Sequence, residues 1–331
     1  MNQQFILSFK KSLFESFQFE EKALELFHFQ ASANQIYRKY LEFLKIDPAK
    51  ISSLNEIPFL PIEFFKSHTI ASVQDQQPEV LFESSGTTGQ VRSRHYVYDT
   101  SFYEKVAQHI FEQLYGSLSE FHVLALLPSY LERTGSSLVY MVEHFIRESH
   151  SSESGFFLHN QSDLVSKIDT LVQQNKKVLL IGVTFALLDL AEHYGGRDWS
   201  QVVVMETGGM KGRREELLRE EVHEILKQAF LLPNVHSEYG MTELLSQAYS
   251  FGTGVFQMPP TMRILIRDVN DPFSINTNQR SGGINIIDLA NVDSCAFIET
   301  KDIGIVHPDN TFQVLGRFDN SDIRGCNLLV L

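Results

Sequence analysis

KVLLIGVTFALLDLAEHY, residues 177–194, packs the choice of fold into one stretch. Lys177–Ile181 is a short apolar run with the length and composition of a strand. Residues 184–194 carry their apolar positions at helical spacing. The stretch from Val178 is the most apolar in the chain, yet Asp189 interrupts it, and it falls short of the about 20 residues that a membrane helix needs. A strand running into a helix, with no membrane span, is the expected reading.

The same alternation extends in both directions. Candidate strands are Val80–Ser84, His95–Tyr98, His122–Leu126, Gln201–Met205 and Val235–Tyr239, and helix-like segments lie near 101–115, 136–149, 162–174, 213–229 and 241–248. Strands and helices alternating at this spacing predict βαβ units around a largely parallel sheet. Before them, residues 3–46 are rich in Phe, Leu, Glu and Lys without Pro or Gly and predict helix. Pro58 and Pro61 in IPFLPIEFFK, residues 57–66, interrupt helix and predict an ordered connector. After Phe251 the pattern changes to short strands: MRILIRD, GGINIID, CAFIET, IGIVHP and TFQVLG. The expected organisation is an α/β protein of mixed sheets with flanking helices, with a helical lead-in and connector over 1–79, an α/β core over 80–250 and a smaller β-rich subdomain over 251–331.

The 331 residues suffice for one large or two moderate domains. Hydrophobic residues make up 43% and charged residues 21%, which is ordinary globular usage. Lys and Arg number 28 against 41 acids, a net charge of −13, so no nucleic-acid partner is expected, while a local basic pocket for one anion stays open. The N-terminal segment carries Lys and Glu among its apolar residues and does not read as a signal peptide, so a cytoplasmic location is expected. Two cysteines, Cys295 and Cys326, exclude a disulfide framework and a CxxC metal pair.

Four motifs carry chemistry. Ser84, Ser85, Gly86, Thr87, Thr88 and Gly89 follow an apolar run. Their glycines let backbone amides approach a phosphate, and their hydroxyls add donors, with Arg92 and Arg94 downstream to balance charge. Gln90 stands where a Walker A loop needs Lys, and a simple polar turn is the plainer alternative. In HSEYGMTELL, residues 236–245, Tyr239 and Thr242 flank Gly240 and Glu243 follows. A helix N-terminus there suits a phosphate and its carboxylate suits Mg²⁺; the plainer reading is Thr242 as the N-cap of a helix. Thr207, Gly208 and Gly209 end a strand with open backbone that suits a flat base. Asp302 in TKDIG and Arg317 in GRFDNSDI suit the hydroxyls of a ribose, with ordinary turns as the alternative.

SSGTTG, YGMTE, TKDIG and GRFDNSDI, in that order over residues 84–323, resemble the core motifs of the acyl-adenylate-forming superfamily. The resemblance implies that Ser85, Gly86, Thr87, Thr88 and Gly89 bind ATP phosphates. It implies that Thr242 and Glu243 handle the α-phosphate and Mg²⁺, and that Asp302 and Arg317 hold ribose. Most members carry Lys after the loop, where this chain has Arg92 or Arg94, and continue into a mobile lid with a catalytic lysine. This chain ends at Leu331, fifteen residues beyond Gly316, so no lid is expected.

LPSYLERTGSSLVYM at 127–141 and RGCNLL at 324–329 are similar to the LuxE-type acyl-protein synthetases of bacterial fatty acid reductase systems. That likeness implies activation of a fatty acid with ATP, transfer to a cysteine near the C-terminus, and delivery to a partner reductase. Cys326 stands at the matching position, with Arg324 nearby to lower its pKa, while Cys295 reads as a buried small hydrophobe. Two alternatives stay open: an acid–coenzyme A ligase of the phenylacetate type, and a non-catalytic partner that binds nucleotide or acyl groups. His236, next to YGMTE, reads as positional rather than as a base. The 26 Phe suffice to line an acyl channel but are explained as readily by core packing.

Overall fold

A computed structural model describes residues 2–73, 76–84, 91–128, 135–157, 160–208, 217–275 and 280–318. The helical lead-in is three helices, α1 (Asn2–Ser12), α2 (Phe19–Ala33) and α3 (Gln35–Phe43). Asn34 separates the last two, its side chain accepting from the amides of Ile36 and Tyr37 to open α3. The connector supplies a short strand, β1 (Leu60–Pro61), and a single turn, α4 (Phe64–Ser67).

The α/β segment follows as β2 (Val80–Glu83), β3 (Arg94–Val97), α5 (Thr100–Tyr115), β4 (Phe121–Leu126), α6 (Ser137–Glu148), β5 (Gly155–Phe156), α7 (Gln161–Gln173), β6 (Lys177–Val183), α8 (Thr184–Tyr194), β7 (Val202–Thr207), α9 (Arg219–Phe230) and β8 (His236–Tyr239). Six further strands close the chain: β9 (Ala248–Ser250), β10 (Val255–Gln257), β11 (Met262–Arg267), β12 (Gly282–Asp288), β13 (Phe297–Val306) and β14 (Thr311–Arg317).

Twelve strands form one sheet in the order β11-β12-β13-β14-β10-β9-β8-β7-β6-β4-β5, with β1 alongside β13. From β5 to β8 neighbours run parallel. From β8 to β11 they run antiparallel. The stretch 177–194 sits in the parallel half as expected: Val178–Val183 is buried throughout, as befits a strand covered on both faces. Gly182 is required at its end, because a Cβ there would meet the Leu187 side chain at 2.8 Å as the chain turns into α8.

Three sequence expectations need correction. β2 and β3 are not members of the main sheet but a separate antiparallel pair. CAFIET and IGIVHP are not two strands; residues 297–306 run as one, β13, because β12 and β14 pair along both halves of it. Residues 241–248 are not helical: a turn at Met241–Leu244 leads into β9. There the buried Asp288 carboxylate accepts from the amides of Leu245 and Ser246 at 2.9 and 3.0 Å and from the Ser246 hydroxyl at 2.6 Å. Those amides are thereby held outside a helical ladder, and Ala248 is free to pair with Tyr239.

Candidate active site

The carboxyl ends of β7 and β8 lie beside the switch from parallel to antiparallel pairing, where an open α/β sheet leaves a crevice for ligands. Four groups of residues meet there. Thr207 ends β7, and the carbonyl of Gly208, which sits at φ 74°, lies 3.2 Å from the Thr184 hydroxyl. Tyr239 ends β8 and donates its hydroxyl to Asp302 Oδ2 at 2.9 Å. Asp302 pairs in register with Arg317, whose Nε lies 3.8 Å from Oδ1. Burial pushes the Asp302 carboxyl above its ordinary range, opposed by Arg317 and by the Tyr239 hydrogen bond. Tyr239, Asp302 and Arg317, far apart in sequence, thus form one polar row.

Thr242 and Glu243 lie in the turn after Gly240, and their main chain is gripped from two sides. His95 Nδ1 is 2.9 Å from the Thr242 carbonyl, with Nε2 3.0 Å from the Ser294 hydroxyl. Asn291 donates to the Glu243 carbonyl at 2.7 Å. His95 is buried, which lowers its pKa to about 4, so the neutral ring donates from Nδ1 across the ordinary pH range. The Glu243 carboxyl is 5% exposed, and burial pushes its pKa up against a hydrogen bond from Ser93. Among the described residues no Lys or Arg forms an ion pair with it. Arg317 and Lys66 act on it only from beyond ion-pair distance, and a buried carboxylate without an ion-pair partner fits a hard cation that prefers oxygen ligands.

The hydroxyl loop is anchored at this same place. The Ser84 amide donates to the Ser93 carbonyl at 3.0 Å, and the Ser84 hydroxyl accepts from the Ser93 amide at 2.9 Å, closing the base of the loop. Ser93, in turn, faces Glu243. Ser85, Gly86, Thr87, Thr88, Gly89, Gly209 and Cys326 lie outside the described residues. Arg92 pairs with Glu83 at 3.5 Å. Gly135, at φ 88°, lays its backbone against β2, where a Cβ would meet the Leu81 carbonyl at 2.8 Å, and its own carbonyl accepts from the Glu83 amide. Cys295 is fully buried, its thiol pushed up to about 12 by burial, and it has the surroundings of a packing residue.

Several residues here escape sequence reading. Ser93, His95, Asn291, Ser294 and Asp288 support Thr242 and Glu243 without belonging to any motif. Only His95, inside a strand-like run, carries a signal at all: a polar residue at a buried strand position. Two carboxyls, the buried Glu206 and the half-buried Glu238, are likewise not singled out by the sequence. Burial alone would raise Glu206, but His223 and Arg219, the latter at 3.2 Å, outweigh it and hold the carboxyl below its usual range. Glu238 accepts from the Thr207 hydroxyl, and burial pushes its pKa up to about 7. Among the described residues no three His, Cys, Asp or Glu side chains are grouped to hold a metal ion, and no helix is long and apolar enough to cross a membrane.

The fold is shared with solved acyl-adenylate-forming ligases. The chain superposes on a solved 2-hydroxyisobutyryl-CoA ligase bound to its acyl-adenylate and coenzyme A, with a TM-score of 0.69 and 12% identity, over 91% of this chain and 67% of that one. It also superposes on ATP-bound MatB from Rhodopseudomonas palustris, with a TM-score of 0.52 and 13% identity, over 72% of this chain and 47% of that one. The chain spans about half the length of MatB. The family model described as "Acyl-protein synthetase, LuxE" matches residues 8–331, and the chain belongs to that family of ligases. Two similar relatives are long-chain-fatty-acid–luciferin-component ligases. The one from Vibrio harveyi is 23% identical, covering 89% of this chain and 82% of its own length. The one from Aliivibrio fischeri is 23% identical, covering 92% and 85%.

Proposed function

We propose that the protein activates a fatty acid with ATP, takes the acyl group onto Cys326 as a thioester and passes it to a partner reductase. The observation that carries this reading is the meeting of Ser84, Ser93 and Glu243 with Tyr239, Asp302 and Arg317 around one crevice. A phosphate-binding loop and a ribose-binding pair belong at opposite ends of one nucleotide. Thr207, Gly208 and Gly240 offer backbone between them for the base.

In the first half-reaction a carboxylate oxygen attacks the α-phosphorus and pyrophosphate leaves with the electrons of the broken P–O bond. Donors from Ser84 to Gly89 and from Thr242 stabilise the charge that develops, so catalysis is mainly positioning and electrostatics. Glu243 holds Mg²⁺, which supplies charge neutralisation on the phosphates. The turn that carries Glu243 is kept rigid by His95 and Asn291. In the second half-reaction the Cys326 thiolate attacks the acyl carbon of the mixed anhydride, and AMP departs with the electron pair of the broken C–O bond. The fatty acid and the luciferin-component partner in the names of both curated relatives support that choice of acid and acceptor.

Intact mass after incubation with ATP, Mg²⁺ and fatty acids from short to long tests the whole scheme. An ATP-dependent, hydroxylamine-labile acyl adduct is expected on the wild type and not on Cys326→Ser, which keeps pyrophosphate exchange. An adduct persisting on Cys326→Ser removes Cys326 from the mechanism. Glu243→Ala is expected to lose exchange by about a hundredfold or more. Wild-type exchange in that variant refutes the Mg²⁺ assignment.

A further inference from the structure

Successive side chains of a strand point to opposite faces of its sheet. At the end of β8 this sorts the crevice into two sides. Tyr239 turns toward Asp302 and the proposed ribose site. Glu238 turns the other way, onto the face covered by α5, beside its register partners Thr207 in β7 and Tyr249 in β9. Its neighbours there are aromatic. Tyr103 of α5 contacts Phe82 and Tyr140 with ring centroids 5.5 and 6.1 Å apart, and Tyr249 meets Phe111 and Tyr115 at 6.1 and 5.6 Å. With the nucleotide on the Tyr239 side, this aromatic side is the one left for the acid.

A channel for a plain hydrocarbon chain needs no polar group, yet among the described residues this face holds two: a buried hydroxyl without a partner and a carboxyl without a neutralising cation. Glu238 retains partial solvent access, accepts only from Thr207 and has no cation facing it among the described residues. A Cβ on Gly240 would collide with its Oε1, so this oxygen lies against the backbone at the crevice. The Tyr249 hydroxyl is fully buried, without a hydrogen-bond partner among the described residues, and close enough to Glu238 for the carboxylate to raise its pKa further. Burial raises Glu238 itself, and Glu206 adds to that, as expected for a carboxyl that lacks its partner. A buried hydroxyl and an unneutralised carboxyl side by side cost stability unless a ligand completes them.

We propose that Glu238 and Tyr249 determine acid specificity, and that the preferred substrate carries a hydrogen-bond-donating hydroxyl or amino group on its chain that docks between them. This rests on the adenylation reading above and narrows its substrate. Sites built to bond a polar substituent discriminate strongly against analogues that lack it, because their own groups are then left unpaired.

The test is ATP–pyrophosphate exchange with matched sets of unsubstituted, hydroxy-substituted and amino-substituted acids, the substituent moved along chains from short to long. Wild type is expected to favour at least one substituted acid over its parent by about tenfold or more in kcat/KM. Glu238→Leu is expected to lose that preference, and Tyr249→Phe to weaken it. Glu238→Gln, close to isosteric, keeps the hydroxy preference and loses the amino one, which separates the two substituents. Preference for unsubstituted acids in every set overturns the proposal, as does a Glu238→Leu effect that is equal on all acids. Wild-type protein that exchanges pyrophosphate with none of them overturns the adenylation reading itself, and this inference with it.

Discussion

Glu238 shows how one side chain can be costly and still be kept. Its carboxyl titrates at about 7 in the folded protein, against the ordinary 4.5. Between those two values the native state binds more protons than the unfolded state, so this group makes stability fall as pH rises from about 4.5 to about 7, with no further loss above. Glu238→Gln removes the titration while leaving an oxygen to accept from Thr207. The variant is expected to be more stable than wild type at pH 8 by about 2 kcal/mol, a value reduced for the partial solvent access, and to show no gain at pH 4. Urea unfolding at the two pH values checks this, and an equal gain at both removes the burial explanation. Glu238 lies inside HSEYGMTELL, yet nothing local sets it apart there. YGMTE draws the eye to Thr242 and Glu243, whereas the residue just before the motif acquires its character from Thr207 and Tyr249 on neighbouring strands.

The turn after β8 shows how a distant residue decides an element. Thr242, Glu243, Leu244 and Leu245 have the composition of a helix start, and local propensity alone predicts one. Asp288, at the end of β12, overrides it by taking the amides of Leu245, Ser246 and Ala290 and the Ser246 hydroxyl. Asp288→Ala is expected to cost about 3 kcal/mol or more, since it leaves several buried donors unsatisfied. It also frees the segment that carries Glu243, so pyrophosphate exchange should fall further than thermal stability alone explains; full exchange in a folded variant refutes that link. The contrast with residues 177–194 is physical. There strand and helix are local patterns backed by burial, and the sequence shows both. β13 looks like two strands in the sequence because its continuity is set by pairing with β12 and β14, which no local pattern encodes.

Across the whole molecule, the N-terminal helices hold up the site although no motif lies in them. Gln30 of α2 is fully buried and donates to the carbonyls of Asn291 and Val292 at 2.8 and 3.1 Å while accepting from the Ala296 amide at 2.9 Å. Asn34 donates to the Ser294 carbonyl at 2.9 Å, and Lys10 of α1 is buried between Asp293 and Asp99 at 2.6 and 3.1 Å. The 291–296 segment held in this way supplies Asn291 to Glu243 and Ser294 to His95. Helical spacing made the lead-in legible, but its task was not, because the bonds from Gln30 and Asn34 and the Lys10–Asp293 pair each span more than two hundred residues of sequence. Gln30→Leu keeps a side chain of similar size and strands three buried backbone groups, so a loss of about 3 kcal/mol is expected in urea unfolding. The stronger expectation concerns catalysis. If the lead-in positions Glu243 through Asn291, the variant should lose pyrophosphate exchange by about tenfold at temperatures where it remains folded, with KM for ATP rising less than kcat falls. Unchanged exchange in the folded variant would reduce the lead-in to packing.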